Sequence, residues 1–453
     1  MGAAPGRGCA DDATLILDSW CGDQRSRAVT ETGPIVVFAN FLSDLAVDLD
    51  EGQILTTWAQ QAPRKAWLLR PGDVFVTFVP LSRDFLRYVY DLTGVPPESV
   101  AVVEVPPAGP VPLARAREAG LVEQIRALAG DRGAALLPTA LDASAIAFAR
   151  DIGIDVYPYT TVEAAEAALK MIMLLNTKTG FRETAEHLGV RLPPGRTCRR
   201  PEVEGAVRDL LRDHARVVVK PDRSAGGHGM RFLSRHDLTG GVSLLLDTVG
   251  GPEGLWVVEQ CLDVAESVSI QLEVSASGTR AVFSGAMRTV QGSCTGYASP
   301  LPPSSSHVAD ELEEWGTALG RHLVSHGYAG PFGLDALVDT AGVAYASESN
   351  IRRTATTTPH AMVTRLTAGS AAAPPAWSVA KGWTRSPMDF EAALARLGAS
   401  RLAFDPNRGE GVVLYADAPP DGRCWRYAVI AKSLGDVEEH ETALAEVFEF
   451  ERD

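Results

Sequence analysis

The chain is poor in lysine, scatters its few cysteines, carries no excess of positive charge and has no long apolar run. Each shortage excludes something. A formal net charge of −15 argues against non-specific binding to nucleic acid or to anionic membranes. No apolar stretch approaches a bilayer span, so no membrane partner is expected. Met1 to Arg7 is not followed by an apolar region of signal-peptide type, because Asp11 and Asp12 interrupt it. Gly2 lacks the downstream Ser or Thr of a myristoylation site. Cys9, Cys21, Cys198, Cys261, Cys294 and Cys424 show no C-x-x-C spacing, which speaks against a zinc site or a disulfide framework. None has a neighbouring base that would mark a nucleophile. The histidines show no metal spacing either. What remains is an expectation of reduced thiols and a soluble cytoplasmic enzyme. A length of 453 residues suggests two to three domains.

The lysines are Lys65, Lys170, Lys178, Lys220, Lys381 and Lys432, while arginine is abundant. Lys220 ends an apolar β-branched run, Val217-Val218-Val219, and precedes Ser224-Ala225-Gly226-Gly227-His228-Gly229-Met230. A strand that delivers an ammonium into a glycine-rich turn can hold polyphosphate, because glycines let backbone N–H groups approach an anion closely. No Lys-Ser or Lys-Thr follows the glycines, so this is not a helix-opening P-loop. Arg231-Phe232-Leu233 follows as a second short strand, which makes the loop a hairpin lid. The plain alternative is a glycine-rich hairpin without a ligand. His228 either meets phosphate or fills a lid position.

Further on, Gly330 to Asp339 and Val343 to Asn350 read as antiparallel strands joined at Thr340-Ala341-Gly342. Such pairing sets Asp335 beside Glu348, with Asn350 one alternation along the same face. Two carboxylates and an amide oxygen are hard ligands that suit Mg²⁺. Arg352 and Arg353 follow, placed to meet phosphate or carboxylate in bidentate fashion. The alternative here is an exposed hairpin edge guarded by charges.

These residues resemble the pattern of the ATP-grasp enzymes from about Leu175 to Leu366. Asn176-Thr177-Lys178-Thr179-Gly180-Phe181 resembles the family's early helix lysine, and Lys220 to Met230 its strand lysine and lid. Trp256 to Leu262 resembles the hinge strand, with Gln260 and Cys261 in place of the usual basic-aromatic pair. The resemblance implies ATP contacts from Lys178, Lys220, Ser224, Gly226, Gly227, Gly229, Glu259 and Leu262, and a ribose contact from Glu266. It implies Mg²⁺ on Asp335, Glu348 and Asn350, and a reactive-phosphate arginine in Arg352. Arg288, at the end of a strand expected over Ala281 to Met287, is a second catalytic candidate. It precedes an expected Ser/Pro/Gly-rich loop, Gly292 to His307. Lys65, Lys170, Lys381 and Lys432 are expected at the surface.

Ahead of the motifs, apolar runs at Ile35–Phe38, Trp67–Leu69, Val74–Val79, Val100–Val105 and Ala134–Leu137 alternate with helical stretches at Arg83–Leu92 and Val111–Ala129. Alternation of this kind means a mainly parallel sheet covered by helices. The fold expected is α/β: a Rossmann-like pre-ATP-grasp domain over residues 1–160, an ATP-grasp domain over 161–375 and a small C-terminal α/β module over 376–453. A helix over Val162–Leu175 links the first two. Helices over Met388–Leu397 and Asp436–Phe448, with strands at Gly411–Tyr415 and Trp425–Ala431, build the last. This domain order is most similar to the pheganomycin-type peptide ligases of bacterial natural-product pathways. That resemblance implies a small carboxylate substrate, a peptide amine substrate and an acylphosphate between them, and is compatible with a homodimer. An ATP-grasp small-molecule kinase and a non-catalytic ATP-binding module are the alternatives.

Overall fold

The computed structural model describes residues 33–41, 43, 45, 60–105, 116, 117, 119–130, 133–223, 229–240, 254–290, 293–369 and 373–451. A five-stranded parallel sheet opens the chain: β1 (Ile35–Phe38), β2 (Val74–Thr77), β3 (Ala101–Glu104), β4 (Ala135–Pro138) and β5 (Asp155–Val156), in the order β3-β2-β1-β4-β5. Successive residues of β1 feed two different cores. Val36 and Phe38 pack with one, Ile35 and Val37 with the other. Burial on both faces explains why these strands read as unbroken apolar runs rather than alternating ones. Helices α1 (Arg83–Thr93), α2 (Leu121–Ala129) and α3 (Ala143–Ile152) connect them. Ser82 and Asp142 cap α1 and α3 through their side chains.

Two expectations fail here for local reasons. Trp67–Leu69 is not a strand; Ala62–Leu68 forms a 3-10 helix. Pro63 lacks the N–H a ladder needs and presets a helical φ. Trp67 is buried within it, its Nε1 donating to the Tyr415 carbonyl at 2.9 Å. The expected Val111–Ala129 helix is broken at Gly120, whose φ of 68° is incompatible with a right-handed helix. Residues 111–115 and 118 lie outside the described ones. Lys65 also departs from expectation: it is 1% exposed.

Helix α4 (Val162–Leu175) leads into α5 (Lys178–His187). A small antiparallel sheet follows, β6 (Gly195–Arg199), β7 (Arg216–Pro221), β8 (Arg231–Ser234) and β9 (Leu255–Gln260), in the order β6-β9-β7-β8. Helix α6 (Val203–Asp213) covers it through Val203, Ala206, Val207 and Leu211. A large antiparallel sheet holds β10 (Val264–Ser275), β11 (Gly278–Val290), β12 (Ser293–Ser299), β13 (Gly330–Asp339), β14 (Ala344–Asn350), β15 (Ala376–Trp383), β16 (Gly411–Val413) and β17 (Cys424–Ala431). Their order is β14-β13-β10-β11-β12-β15-β17-β16. Helix α7 (Ala309–Ser325) covers one face through Leu312, Trp315, Leu319 and Leu323, against Val268, Ile270, Leu272 and Val274. Helices α8 (Thr357–Thr367), α9 (Phe390–Ser400) and α10 (Leu434–Val447) complete the chain. The strands of the C-terminal residues are bonded into this sheet, β15 pairing with β12.

The expected loop over Gly292–His307 is also corrected. Residues 293–299 are β12, paired on both sides, and Pro303–Val308 is a 3-10 helix. Serine and glycine serve here as strand residues because the neighbours come close. A Cβ on Gly285 would collide with the Ala298 carbonyl, and one on Gly296 would lie 2.8 Å from the Val379 carbonyl. Gly285→Val is therefore expected to destabilise the fold by about 1–3 kcal/mol, the range for overpacking a tight interior. Urea denaturation checks this, and an unchanged midpoint would contradict the close approach.

Candidate active site

Lys178 opens α5. Thr177 sets it there: its Oγ1 accepts from Gly180 N–H at 3.1 Å and donates to the Leu174 carbonyl at 2.6 Å. Gly180 is required because a Cβ would run into that same carbonyl. Asp222 then ties the helix start to the small sheet. Its carboxylate accepts from Thr179 N–H at 2.9 Å and Thr179 Oγ1 at 2.6 Å, and its carbonyl accepts from Lys178 N–H at 2.9 Å.

Val217 to Val219 are buried in β7 and deliver Lys220 to the end of the sheet. Lys220 Nζ donates to Glu259 Oε1, and Arg182 reaches Glu259 Oε2 at 3.1 Å. All three side chains are almost fully enclosed. Arg182 also donates to the carbonyls of Pro193 and Gly195, each at 3.0 Å. The Glu259 carboxylate is thus committed to two cations. Leu262 is buried where β9 gives way to β10. Ser224, Gly226, Gly227 and His228 lie outside the described residues. Gly229 follows them at φ 74°, a conformation that suits glycine.

Across from these cations stand the two carboxylates. β13 and β14 pair Asp335 with Glu348 and Gly333 with Asn350, and Asn350 Nδ2 donates to Asp335 Oδ2 at 3.0 Å. Glu348 Oε2 lies 3.6 Å from Lys178 Nζ, and its side chain is 36% exposed, so it faces open space. Burial and then the charge of Glu348 push Asp335 up to about 7. For Glu348, burial acts in the same sense, but Lys178, Arg352 and Lys220 together outweigh it and hold the carboxyl below its usual range. Burial likewise lowers Lys178, with Glu348 opposing. One proton shared between two close carboxylates is the state expected until a cation arrives. Two carboxylates and an amide oxygen are a donor set that fits Mg²⁺.

Arg352 donates to Asn176 Oδ1. That same amide oxygen accepts from Ile351 N–H at 3.2 Å, while Asn176 Nδ2 donates to the Ile172 carbonyl at 2.8 Å. The end of α4 therefore holds the reactive-phosphate candidate in place. Asn176, Asp222 and Arg182 are positioning residues that the motifs alone do not mark. Asn176 and Asp222 stand inside or next to the motifs, and Arg182 lies four residues, about one helical turn, beyond Lys178.

Two predicted residues are not brought to this cluster. Arg288 pairs with Glu441 of α10 at 2.8 Å, and Glu441 also accepts from Ser378 at 2.6 Å. Glu266 shares its face of β10 with Val268 and Ile270, which pack under α7, whereas Asp335 pairs with Ser269 on the other face. The Glu266 carboxylate accepts from Ser304 at 3.3 Å and from Ser305.

Beside the cluster lies a cavity of about 340 Å³, lined by Gln271, Phe283, Arg353, Thr357, His360 and Thr364, among others. Ser269 and Gln271 run from Asp335 toward it. Gln271 donates to Ser269 Oγ at 2.8 Å and accepts from Thr354 Oγ1 at 2.8 Å. His360 stacks on Phe283 with ring centroids 4.2 Å apart, and burial lowers it to about 4.

Comparison with known proteins agrees with this architecture. A family model described as the pre ATP-grasp domain matches residues 62–154, and one described as the PGM1 C-terminal domain matches residues 392–444. No curated protein matches the chain in sequence. Among solved structures, N5-carboxyaminoimidazole ribonucleotide synthetase from Thermus thermophilus is similar at 14% identity. It covers 91% of this chain and 98% of its own, with a TM-score of 0.55. The biotin carboxylase domain of 2-oxoglutarate carboxylase from Hydrogenobacter thermophilus, a dimer in complex with MgADP, ADP and bicarbonate, is similar at 15% identity. It covers 93% and 91%, with a TM-score of 0.57. A biotin carboxylase–β,γ-ATP complex from Campylobacter jejuni is similar at 13% identity, covering 94% and 93%, with a TM-score of 0.57. The fold is α/β and is shared with these solved structures, with a pre-ATP-grasp domain at the front and a small C-terminal module.

The raised carboxyl has a consequence for stability. The folded chain keeps the Asp335 proton where the unfolded chain has lost it. Its contribution is therefore fully present below the unfolded carboxyl range and is lost as pH rises through about 7. Asp335→Asn, which cannot ionise, is expected to gain Tm over wild type at pH 8 in EDTA, with a smaller gain at pH 5. Scanning calorimetry at both pH values reads this, and a gain that is the same at both would contradict it.

Proposed function

We propose that the chain is an ATP-dependent carboxylate–amine ligase that forms a peptide bond through an acylphosphate. What carries the reading is one convergence. Lys178 from α5, Lys220 from β7, Asp335, Glu348 and Asn350 from the β13–β14 pair, and Arg352 meet around one cleft beside a half-open cavity. Solved proteins of this fold, at low identity, include ATP and MgADP complexes, which supports ATP and Mg²⁺ as the ligands here.

Asp335, Glu348 and Asn350 hold Mg²⁺ in this reading. When bound, the ion offsets charge on the β- and γ-phosphates. Lys178 and Lys220 add point charges to the same phosphates, and the lid at Ser224, Gly226, Gly227 and Gly229 supplies backbone N–H groups. The substrate carboxylate attacks the γ-phosphorus; a C–O–P bond forms and the bond to the ADP oxygen breaks. Arg352 stabilises the charge that develops. The amine then attacks the acyl carbon, phosphate leaves with the bonding pair, and the amine gives up a proton. The carboxylate substrate sits in the cavity that Gln271, Arg353 and His360 line. An amino-acid-like donor and a peptide acceptor follow from the similarity of domain order to the peptide ligases of natural-product pathways. Arg288, bound to Glu441, acts in this reading by holding the C-terminal module to the core. Glu259 acts by positioning Lys220.

Incubation with MgATP, hydroxylamine and a pool of amino acids and short peptides tests the proposal. ADP with a hydroxamate is the expected result, since only an activated acyl group yields one. ADP without hydroxamate would make the chain a small-molecule kinase, and AMP would rule out this mechanism. Glu348→Ala is expected to lower turnover by at least ~10²-fold, the scale of losing one preorganised electrostatic element. Near-normal kcat in that variant would remove Glu348 from the metal set.

A further inference from the structure

Behind Asp335 lies a row of polar side chains that the proposed mechanism does not use. Ser269 and Gln271 are 2% and 5% exposed on β10, on the strand face opposite Val268, Ile270 and Leu272. Ser269 pairs with Asp335 across β10 and β13, and its hydroxyl hydrogen-bonds the Asp335 carboxylate. Thr354, Thr356 and Thr357 continue the row just beyond Arg352.

The hydrogens in this chain run one way. Ser269 Oγ accepts from Gln271 Nε2 at 2.8 Å, so its single hydrogen is left for Asp335. Gln271 Oε1 accepts from Thr354 Oγ1 at 2.8 Å. Thr354 Oγ1 in turn accepts from Thr356 N–H at 3.4 Å and lies 3.1 Å from Thr357 Oγ1. Thr357 Oγ1 accepts from Thr354 N–H at 2.9 Å, which leaves its hydrogen to point back at Thr354. Every donor therefore points toward Asp335. An amide turned the other way would offer Oε1 to Ser269 and draw the serine hydrogen off the carboxylate. Thr354, as donor to Oε1, holds the amide in the orientation that leaves that hydrogen in place.

Space for the chain is built in. Gly333 pairs with Gln271 across β10 and β13. A Cβ there would stand 2.7 Å from Nε2, 3.0 Å from Oε1 and 3.1 Å from Thr354 Cγ2. Enclosing polar groups costs stability unless each is satisfied, and apolar side chains of the same shape would be about as stable. A face that keeps serine, glutamine and threonine bonded in series, with a glycine making room, is arranged for position. Its outer end reaches the cavity, since Gln271 and Thr357 also line it.

We infer that Gln271 and Thr354 are positioning residues of the cation site: through Ser269 they hold the Asp335 carboxylate in the orientation that receives Mg²⁺. This rests on the metal site of the ligase reading and goes beyond it, because neither residue is a ligand there. Partners behind a metal ligand set its aim and with it the affinity for the ion.

Calorimetric titration of ADP into the full chain, in Mg²⁺ and again in EDTA, tests the inference. The readout is the ratio of the two dissociation constants, the gain in ADP affinity that the metal supplies. Gln271→Leu and Thr354→Val are each expected to lower that gain by about 10-fold or more, the scale of losing a partner behind a metal ligand. Thr354→Ser, which restores the hydroxyl, is expected to keep the wild-type gain. ADP affinity in EDTA is expected to stay unchanged in all three. Should Gln271→Leu fail to fold, the Thr354 pair carries the comparison. A full metal gain in Thr354→Val overturns the inference. So does a loss of affinity that is equal in Mg²⁺ and in EDTA, which would mark a merely structural role. Wild type without any metal gain would remove the cation site itself, and the inference would fall with that reading.

Discussion

Glu259 held between Lys220 and Arg182 is the interaction on which the rest of the site depends. Each partner comes from a different piece of chain: β9, β7 and α5. One carboxylate bridges two enclosed cations, and removing Glu259 would strand both at a cost of about 3–5 kcal/mol. The pairing therefore fixes where Lys220 points and how α5 sits against the small sheet. Lys178 at the start of α5 inherits that placement, and Asp222 repeats the tie from the other side.

The cleft is built around charges that only partly satisfy one another. Lys178 leans on Glu348, Glu348 shares a site with Asp335, and Arg352 donates to Asn176 while the charges of Glu348 and Asp335 act on it. Such a set has spare positive charge on one wall and spare negative charge on the other. A polyphosphate with a hard cation matches both, the phosphates meeting the lysines and the cation meeting the carboxylates.

Much of this is legible in the amino-acid sequence. The juxtaposition of Asp335 and Glu348 follows from two strands and a tight turn, and the register of β13 and β14 pairs them. Lys178 and Lys220 stand out because lysine is otherwise so sparse. The parallel front sheet follows from apolar runs that do not alternate. Long-range partnership is what the sequence hides. Arg288 looks like any site arginine until α10 brings Glu441 to it from 153 residues away. Lys65 looks like a surface residue until α8 covers it. Glu266 shows how one strand separates neighbours: parity places it under α7, away from Asp335. Residues 293–299 read as a loop because small and polar residues prevail there, and only close strand neighbours reveal why Gly296 is needed.

The central claim is that this cleft is a preorganised site for a metal-bound polyphosphate. Titration of ATP into the full chain by calorimetry, with Mg²⁺ and again in EDTA, tests it most directly. The account predicts binding that weakens sharply in EDTA and in Lys220→Met. Absence of binding at millimolar ATP, or binding indifferent to both the metal and Lys220, would contradict it.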